Sequence, residues 1–562
     1  MQNTKSVFLL LAIILLVSIL HAQTDYISLG TKQYQLLDRL DIKLRNDSVL
    51  GYTSTKPYNR KKITEQVVFL DSLYHSGTLP INLSTVDQFN LRSLLMNNSE
   101  WAPSYKDSFS VNKPVLKRFY QTRGHMYAVD TKDFVLRVDP LLNLQYGNAS
   151  DGTGNIYVNA RGLSIKGAIA GKLGFYTSIL ESQERDPAYV RQFASQFEAV
   201  PGQGYYKLNG KEFDYTDARG GITFNGGKHF DFVFAYDKIF IGNGFRSLFL
   251  SDFSNSYLFF KINTRVWKLN YQNIFAEQTA PFTYRNGDNL RPKKYMAAHH
   301  LSFQAAKWIN IGLFESISFG RDNGFALSYL NPFIFYRAIE RQEGSPDKAS
   351  VGFDFKINAF RNTQFYGQLL INELVMSEVL HYGRGDWRNK QALQLGAKYI
   401  DALGISNLDI QGEINFVRPF VYTHYDSAGS FTHYNQPLAH PLGANFREFI
   451  FLAKYQPIPK LYLQGKLIAY KQGLDSAGSN FGSNLFLNYN TRVRDQGLTI
   501  GSGTPVNSLT LGLNLSYEIF ENMFLDLNTT YRTYDVKEQP KTNTFFYTLG
   551  FRVNLQRREF DF

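Results

Sequence analysis

Apolar and polar side chains alternate with a period of two through most of this chain. From Thr544 to Leu555 the alternation is unbroken: Phe545, Tyr547, Leu549, Phe551, Val553 and Leu555 point one way, and Phe546, Thr548, Gly550, Arg552 and Asn554 the other. That period sets one face of a strand against something apolar and the other against water. Leu408 to Phe416 alternates as cleanly, as do stretches beginning at Val351, Leu461, Leu509 and Leu525. The pattern predicts strands near residues 134–146, 158–168, 172–181, 217–225, 231–240, 256–262, 266–275, 297–305, 309–319, 350–357, 362–372, 391–399, 405–417, 447–456, 460–470, 507–518, 523–534 and 544–555.

Residues 24 to about 110 have a different period. Leu36, Leu37, Leu40 and Leu44 recur at helical spacing, as do Ile63, Val67, Leu70 and Tyr74. Ser84-Thr85-Val86-Asp87 has the form of a capping box opening a third helix with Phe89, Leu91, Leu94 and Leu95. Three short amphipathic helices make a meagre core, so this bundle is expected to pack against something larger.

The connections say what kind of sheet the strands form. After even-numbered strands they are short, as at Asn358-Ala359-Phe360-Arg361, Pro457-Ile458-Pro459 and Phe520-Glu521-Asn522. After odd-numbered strands they are mostly long, notably 182–216, 320–349, 418–446 and 471–506. Short turns alternating with long loops mark an outer-membrane barrel. Closure follows because an open edge in hydrocarbon leaves backbone groups unpaired at several kcal/mol each. The expected fold is all-β and transmembrane: a closed antiparallel outer-membrane β-barrel of about eighteen strands, with a small N-terminal α-helical bundle as its plug. An even count places the bundle and both termini in the periplasm. The span 471–506 has room for another hairpin, which would give twenty strands.

Lys5 precedes an apolar run from Val7 to Leu20, followed by His21-Ala22-Gln23. The run is too short to span a bilayer and has the form of a secretory signal peptide, cut after Ala22. The expected divisions are therefore a signal peptide over 1–22, the helical bundle over 23–110, a connecting segment over 111–133 and the barrel over 134–562. Thirty-six Tyr and 47 Phe beside a mean hydropathy of −0.28 suit a barrel with an apolar outside and a polar lumen. The chain has no cysteine, which excludes lipid attachment at cysteine, disulfides and thiol chemistry. Its formal charge of +12 points, for an exported protein, to anionic lipid head groups and acidic polysaccharide rather than nucleic acid. A solvated surface with a surplus of Lys and Arg accounts for the charge equally well.

Several segments resemble the outer-membrane capsule-assembly (Wzi-like) barrels, particularly those of Bacteroidetes. The likeness is carried by Phe314-Glu315-Ser316-Ile317-Ser318-Phe319-Gly320-Arg321 and by the run from Tyr329-Leu330-Asn331-Pro332 to Glu340. Tyr366-Gly367-Gln368, Asn372-Glu373 and the run from Pro437-Leu438-Ala439-His440 to Asn445 carry it further. Thr548 to Leu555 also resembles the terminal signal by which outer-membrane barrels are recognised for insertion, which implies the barrel-assembly machinery as a partner. The family resemblance implies an eighteen-stranded barrel closed on its periplasmic side by the bundle. It also implies a non-enzymatic, lectin-like role in binding, anchoring or assembling capsular polysaccharide. Relatives associated with gliding motility leave open a component acting through protein partners, and the fold alone leaves open a diffusion porin or exporter.

Polysaccharide recognition needs flat aromatic faces for sugar rings and Arg or Lys for carboxylates. Tyr382, Arg384, Asp386, Trp387 and Arg388 fall in one outer loop, and Tyr422, His424, Tyr425, His433, Tyr434 and Asn435 in another. The same rings also suit an interfacial girdle and ordinary loop packing. Phe325 to Ile339 is too apolar for a loop in water and is expected to fold into the barrel mouth. It would bring Arg337, Glu340 and Arg341 with it, to line a charged constriction or, as the plainer role, to pair structurally with one another. His424, His433 and His440 share a loop at no standard metal-ligand spacing, and no metal or cofactor is expected. No Gly-x-Ser-x-Gly elbow or phosphate-binding loop stands out, so no enzymatic activity is expected either. Ile241-Gly242-Asn243-Gly244-Phe245-Arg246 is read as a plain loop with two glycines.

Overall fold

The computed structural model describes residues 25–281, 291–321, 324–333, 335–344, 347–375, 384–426, 428–476 and 478–562. The signal peptide over 1–22 lies outside the described residues. Each expected strand is present, and together they make the wall. These are β1 (Phe134–Ala149), β2 (Gly154–Ile169), β3 (Leu173–Arg185), β4 (Glu212–Asn225), β5 (Phe230–Asp237) and β6 (Tyr257–Val266). Then come β7 (Leu269–Thr279), β8 (Lys293–Ala306), β9 (Ile309–Phe319), β10 (Lys348–Ala359), β11 (Thr363–Glu373) and β12 (Lys390–Tyr399). The last six are β13 (Leu408–Val417), β14 (Phe446–Ile458), β15 (Leu461–Leu474), β16 (Thr504–Phe520), β17 (Met523–Val536) and β18 (Thr542–Val553). Neighbours pair antiparallel in sequence order. β18 returns to β1, with Phe546 opposite Ala149 and Val553 opposite Leu142, and the barrel closes. Among the described residues the loop between Leu474 and Thr504 adds no wall strand, so the count stays at eighteen.

The outward face explains the period of two. Leu313, Leu513 and Leu549 are each more than half exposed, which suits hydrocarbon and not water. No helix among the described residues is long and apolar enough to cross a membrane.

The helices α1 (Gln33–Leu44), α2 (Arg60–His75) and α3 (Thr85–Asn97) form the bundle around Leu37, Leu40, Val67, Leu70, Leu94 and Leu95. The capping box is made as the sequence predicts. Asp87 N–H donates to Ser84 Oγ at 3.0 Å, and Ser84 N–H donates to Asp87 Oδ2 at 3.2 Å. The bundle sits in the short-turn end, where Asp41 meets Lys356 and Asn358 at the foot of β10.

Loops from the opposite end fold into the lumen. Phe240–Ile241 pairs with Thr55–Lys56 of the N-terminal segment, and Phe249 stacks on Phe314 of β9 with ring centres 4.6 Å apart. Leu248, Leu250, Val421, Leu438 and Ala444 complete an apolar core inside the barrel. The stretch from Ile239 to Leu250, which includes the Ile241–Arg246 segment that the sequence presents as a plain loop, thus packs into the lumen.

Three expectations need correcting. Phe325–Ile339 does not enter the mouth. Its described residues, 325–333 and 335–339, run down the outer wall as a strap whose short helix α5 (Tyr336–Glu343) lies against β8 and β9, whereas α4 (Ala188–Phe197) belongs to the loop after β3. Phe314 and Ser316 face the lumen, so Glu315 between them faces outward, in one register row with His299 and Asn273. Tyr336 hydrogen-bonds His299, and Arg337 N–H donates to Glu315 at 3.2 Å. His299 and Glu315 thus have in the strap a partner that lipid does not offer, and Asn273 is buried beside them, which is why the strap lies outside. Second, β18 ends at Val553 and not at Leu555, because Asn554 takes a left-handed conformation (φ 52°) that asparagine tolerates. Third, residues 555–562 turn into the lumen rather than leaving at the short-turn end. Phe562 reaches Phe193 of α4, 4.6 Å between ring centres, at the long-loop end.

Candidate functional site

Ion pairs hold the bundle in the short-turn end. Arg39 of α1 bonds Asp87 of α3 and Asp401 in the turn after β12, both at 2.8 Å, and also bonds Asp409 of β13. Lys398 meets Asp38 at 2.7 Å and Lys62 meets Asp231 at 2.6 Å. Burial alone would raise the Asp87 carboxyl, but Arg39 and Lys43 outweigh it and hold it at about 2.

At the other end, segments far apart in sequence converge. Trp387 N–H donates to the Asp495 carbonyl at 2.9 Å, and Gly497 N–H to the Arg384 carbonyl at 2.7 Å, which pins residues 384–389 to the loop after β15. The Arg492 guanidinium then lies 4.0 Å from the Trp387 ring centre and Lys390 Nζ 4.4 Å from it. Tyr489 approaches Trp387 to 5.1 Å and Tyr425 approaches Tyr489 to 6.1 Å. Cations seated on aromatic faces are favoured by the ring quadrupole. Arg388 pairs with Asp386 at 2.9 Å, and Lys390 with Glu373 at 2.9 Å. Arg384 is exposed and, among the described residues, its side chain has no partner. Sequence reasoning found Trp387, Arg384 and Arg388 but missed Tyr489, Lys390 and Arg492, whose proximity only the folded loops create.

Other expected site residues are elsewhere. Tyr382 lies outside the described residues. Tyr422 is buried in the lumen core, its hydroxyl donating to the Leu248 carbonyl at 2.7 Å, so no ligand at the surface reaches it. Tyr434 lies beside Arg291, 4.9 Å from ring centre to guanidinium, away from Trp387. Arg337 and Arg341 belong to α5 on the outer wall and line no constriction; Arg337 pairs with Glu340 at 2.7 Å. The three histidines of one loop part company. His433 accepts from Thr279 N–H at 3.0 Å, His440 meets Glu448 at 2.7 Å, and His424 lies by Tyr425 and Tyr489. Burial, with Lys348 close by, brings His424 down to about 4, so it adds no charge to the mouth at neutral pH.

Between the two ends, beside the inward tail, runs a cavity of about 800 Å³. It extends from Asn522 and Asn554 at the short-turn end to Asp186, Gly202 and Phe253 at the long-loop end.

Among solved structures, the chain is similar to Wzi of Escherichia coli, described as a carbohydrate-binding outer-membrane β-barrel involved in group 1 capsule assembly. The TM-score is 0.51 at 12% identity, over 96% of this chain and 100% of that one. The fold is that of an outer-membrane barrel. Weaker likenesses link this barrel to OprD of Pseudomonas aeruginosa, with TM-score 0.42 at 11% identity over 74% of this chain and 95% of that one. OccK8 (OprE) of the same organism gives 0.42 at 8% identity, over 74% and 98%. No protein-family model matches the chain, and no curated protein does.

Proposed function

We propose that this outer-membrane barrel is a non-enzymatic binder of acidic surface polysaccharide, which it anchors or helps assemble as capsule. The observation that carries this reading is the mouth: Trp387, Tyr489 and Tyr425 gather with Arg384, Arg388 and Arg492 above a lumen partly filled by inward loops. The inward loops and the bundle narrow the lumen to the cavity described above, which favours retention over flux. The likeness to a carbohydrate-binding barrel supports the reading, and so does the resemblance to the Bacteroidetes members noted above. In it, the long-loop end faces outward and the bundle faces the periplasm. The partly covered Trp387 ring serves chiefly as the seat for Arg492 and Lys390, while Tyr425 offers the more open ring.

Exposed charge pairs contribute on the order of 1 kcal/mol each, so affinity comes from repeated engagement along a polymer. Replacing Arg384, Arg388 and Arg492 together by alanine is expected to lower retention of purified acidic capsule at least tenfold, and to flatten its dependence on salt. Strand assembly, read by heat-modifiable gel mobility, is expected to be unchanged. Retention equal to the parent's would remove the mouth as the site.

A further inference from the structure

The lumen's inner cations are neutralised by the chain's own last residues. Lys466 of β15 bonds Glu559 and lies 3.3 Å from Asp561, while Arg246 of the inward loop lies 3.1 Å from Asp561. Both basic side chains are more than nine-tenths buried. Arg246 has a second carboxylate, Glu448, only at 3.5 Å. A buried cation without a close anion is strongly disfavoured, so this part of the lumen requires acidic groups from somewhere. The tail supplies them without belonging to the wall: among the described residues, 555–562 join no strand ladder. It crosses the lumen as an extended segment, with carboxylates on alternate residues, beside the cavity that runs lengthwise through the barrel. Its further contacts are of a kind that a sugar chain also makes. Asn514 Nδ2 donates to Glu559 at 2.9 Å, Tyr189 Oη donates to the Phe560 carbonyl at 2.8 Å, and Phe562 rests on the Phe193 ring.

We propose that Lys466 and Arg246 form a carboxylate-binding site inside the lumen for an acidic oligosaccharide, and that Glu559 and Asp561 occupy it in the ligand's place. The tail is then a competitor built into the chain. Ligand enters along the cavity as the tail withdraws about its hinge at Asn554. The site stands apart from the mouth, so a mouth that binds no polymer leaves this inference intact.

Titration calorimetry of the purified full chain with trigalacturonate as probe, and with neutral maltotriose as control, tests it. Ending the chain at residue 553 is expected to tighten trigalacturonate binding at least tenfold, with maltotriose unaffected. Glu559→Gln/Asp561→Asn in the full chain is expected to act the same way, and it decides the matter where the shortened chain fails to assemble. Lys466→Met in either background is expected to abolish the gain. No gain in an assembled variant overturns the proposal. A gain that survives Lys466→Met also overturns it, since that binding belongs elsewhere in the barrel.

Discussion

Replacing Arg39 by alanine should unseat the N-terminal bundle and open the short-turn end of the barrel. Arg39 ties α1 to α3 through Asp87 and, at the same time, to the wall through Asp401 and Asp409, whereas its neighbour Lys43 reaches only Asp87 and Asp401 of these three. Removing it takes the cation from Asp409 and leaves Asp87 and Asp401 with Lys43 alone. Breaking a buried ion pair from one side costs about 3–5 kcal/mol, comparable with what a small bundle core supplies. Single-channel recording in planar bilayers should show conductance rising several-fold over the parent, approaching that of a chain lacking residues 24–110. Unchanged conductance would mean that the other contacts suffice. Acid should act in the same direction, but late. Asp87 titrates at about 2 in the fold against roughly 3.9 when unfolded. Its contribution is therefore complete above the unfolded value and lost as pH falls through the folded one. The seal should hold at pH 5 and weaken only below about pH 3.

The second large effect is expected inside the lumen. Phe249 is fully buried, and its stacking on Phe314 joins the inward loop to the wall. The loop around it is held by Gly242 N–H donating to the Ser54 carbonyl at 2.6 Å and Ser251 N–H to the Leu438 carbonyl at 2.8 Å. Phe249→Ala removes a fully buried ring from that packing and leaves a cavity, at a cost of about 3–5 kcal/mol. Because Tyr422 bonds Leu248 next door, the 418–445 loop should loosen with it. Thermal unfolding in detergent should start several degrees lower, and limited proteolysis should newly cut between 238 and 256. Phe249→Leu should show a milder form of both. A melting curve and digest identical to the parent's would argue that the loop's hydrogen bonds alone hold it.

What was legible in the sequence follows from what surrounds each segment. All eighteen strands were visible because lipid outside and polar lumen inside impose the same alternation on every one. The bundle was visible through its leucine spacing and capping box. The lumen fillings were not, because an apolar run shows only that it must be covered. Ile239–Ile241 and Leu248–Leu250 carried that signal around two glycines that looked like punctuation. Gly244 is there because a side chain would meet Glu413 at 2.5 Å and Gln394 at 2.8 Å. The strap was recognised as needing cover, and the clue to its side was in other strands. Asn273, His299 and Glu315 interrupt the apolar outward row of β7, β8 and β9 at matching heights. At the mouth, Trp387 could be chosen for its type, but Tyr489 and Arg492 lie some hundred residues on and only the folded loops bring them near.

The strap also gives this protein an order of assembly. Without it, an asparagine, a histidine and a glutamate would face acyl chains, and polar groups stranded there without partners cost about 2–7 kcal/mol each. The wall cannot first be threaded into the bilayer and then dressed. β7 to β9 and the strap have to enter as a single piece, with Tyr336 already on His299 and Phe333 and Phe335 turned to the lipid. A chain lacking residues 324–343 should adsorb to vesicles and stall at their surface, remaining open to added protease long after the parent is protected. Insertion at the parent's rate would show that the order is not obligatory. On this account the segment that looks most like an ornament on the outer wall is the waterproofing without which that part of the wall has no route into the membrane.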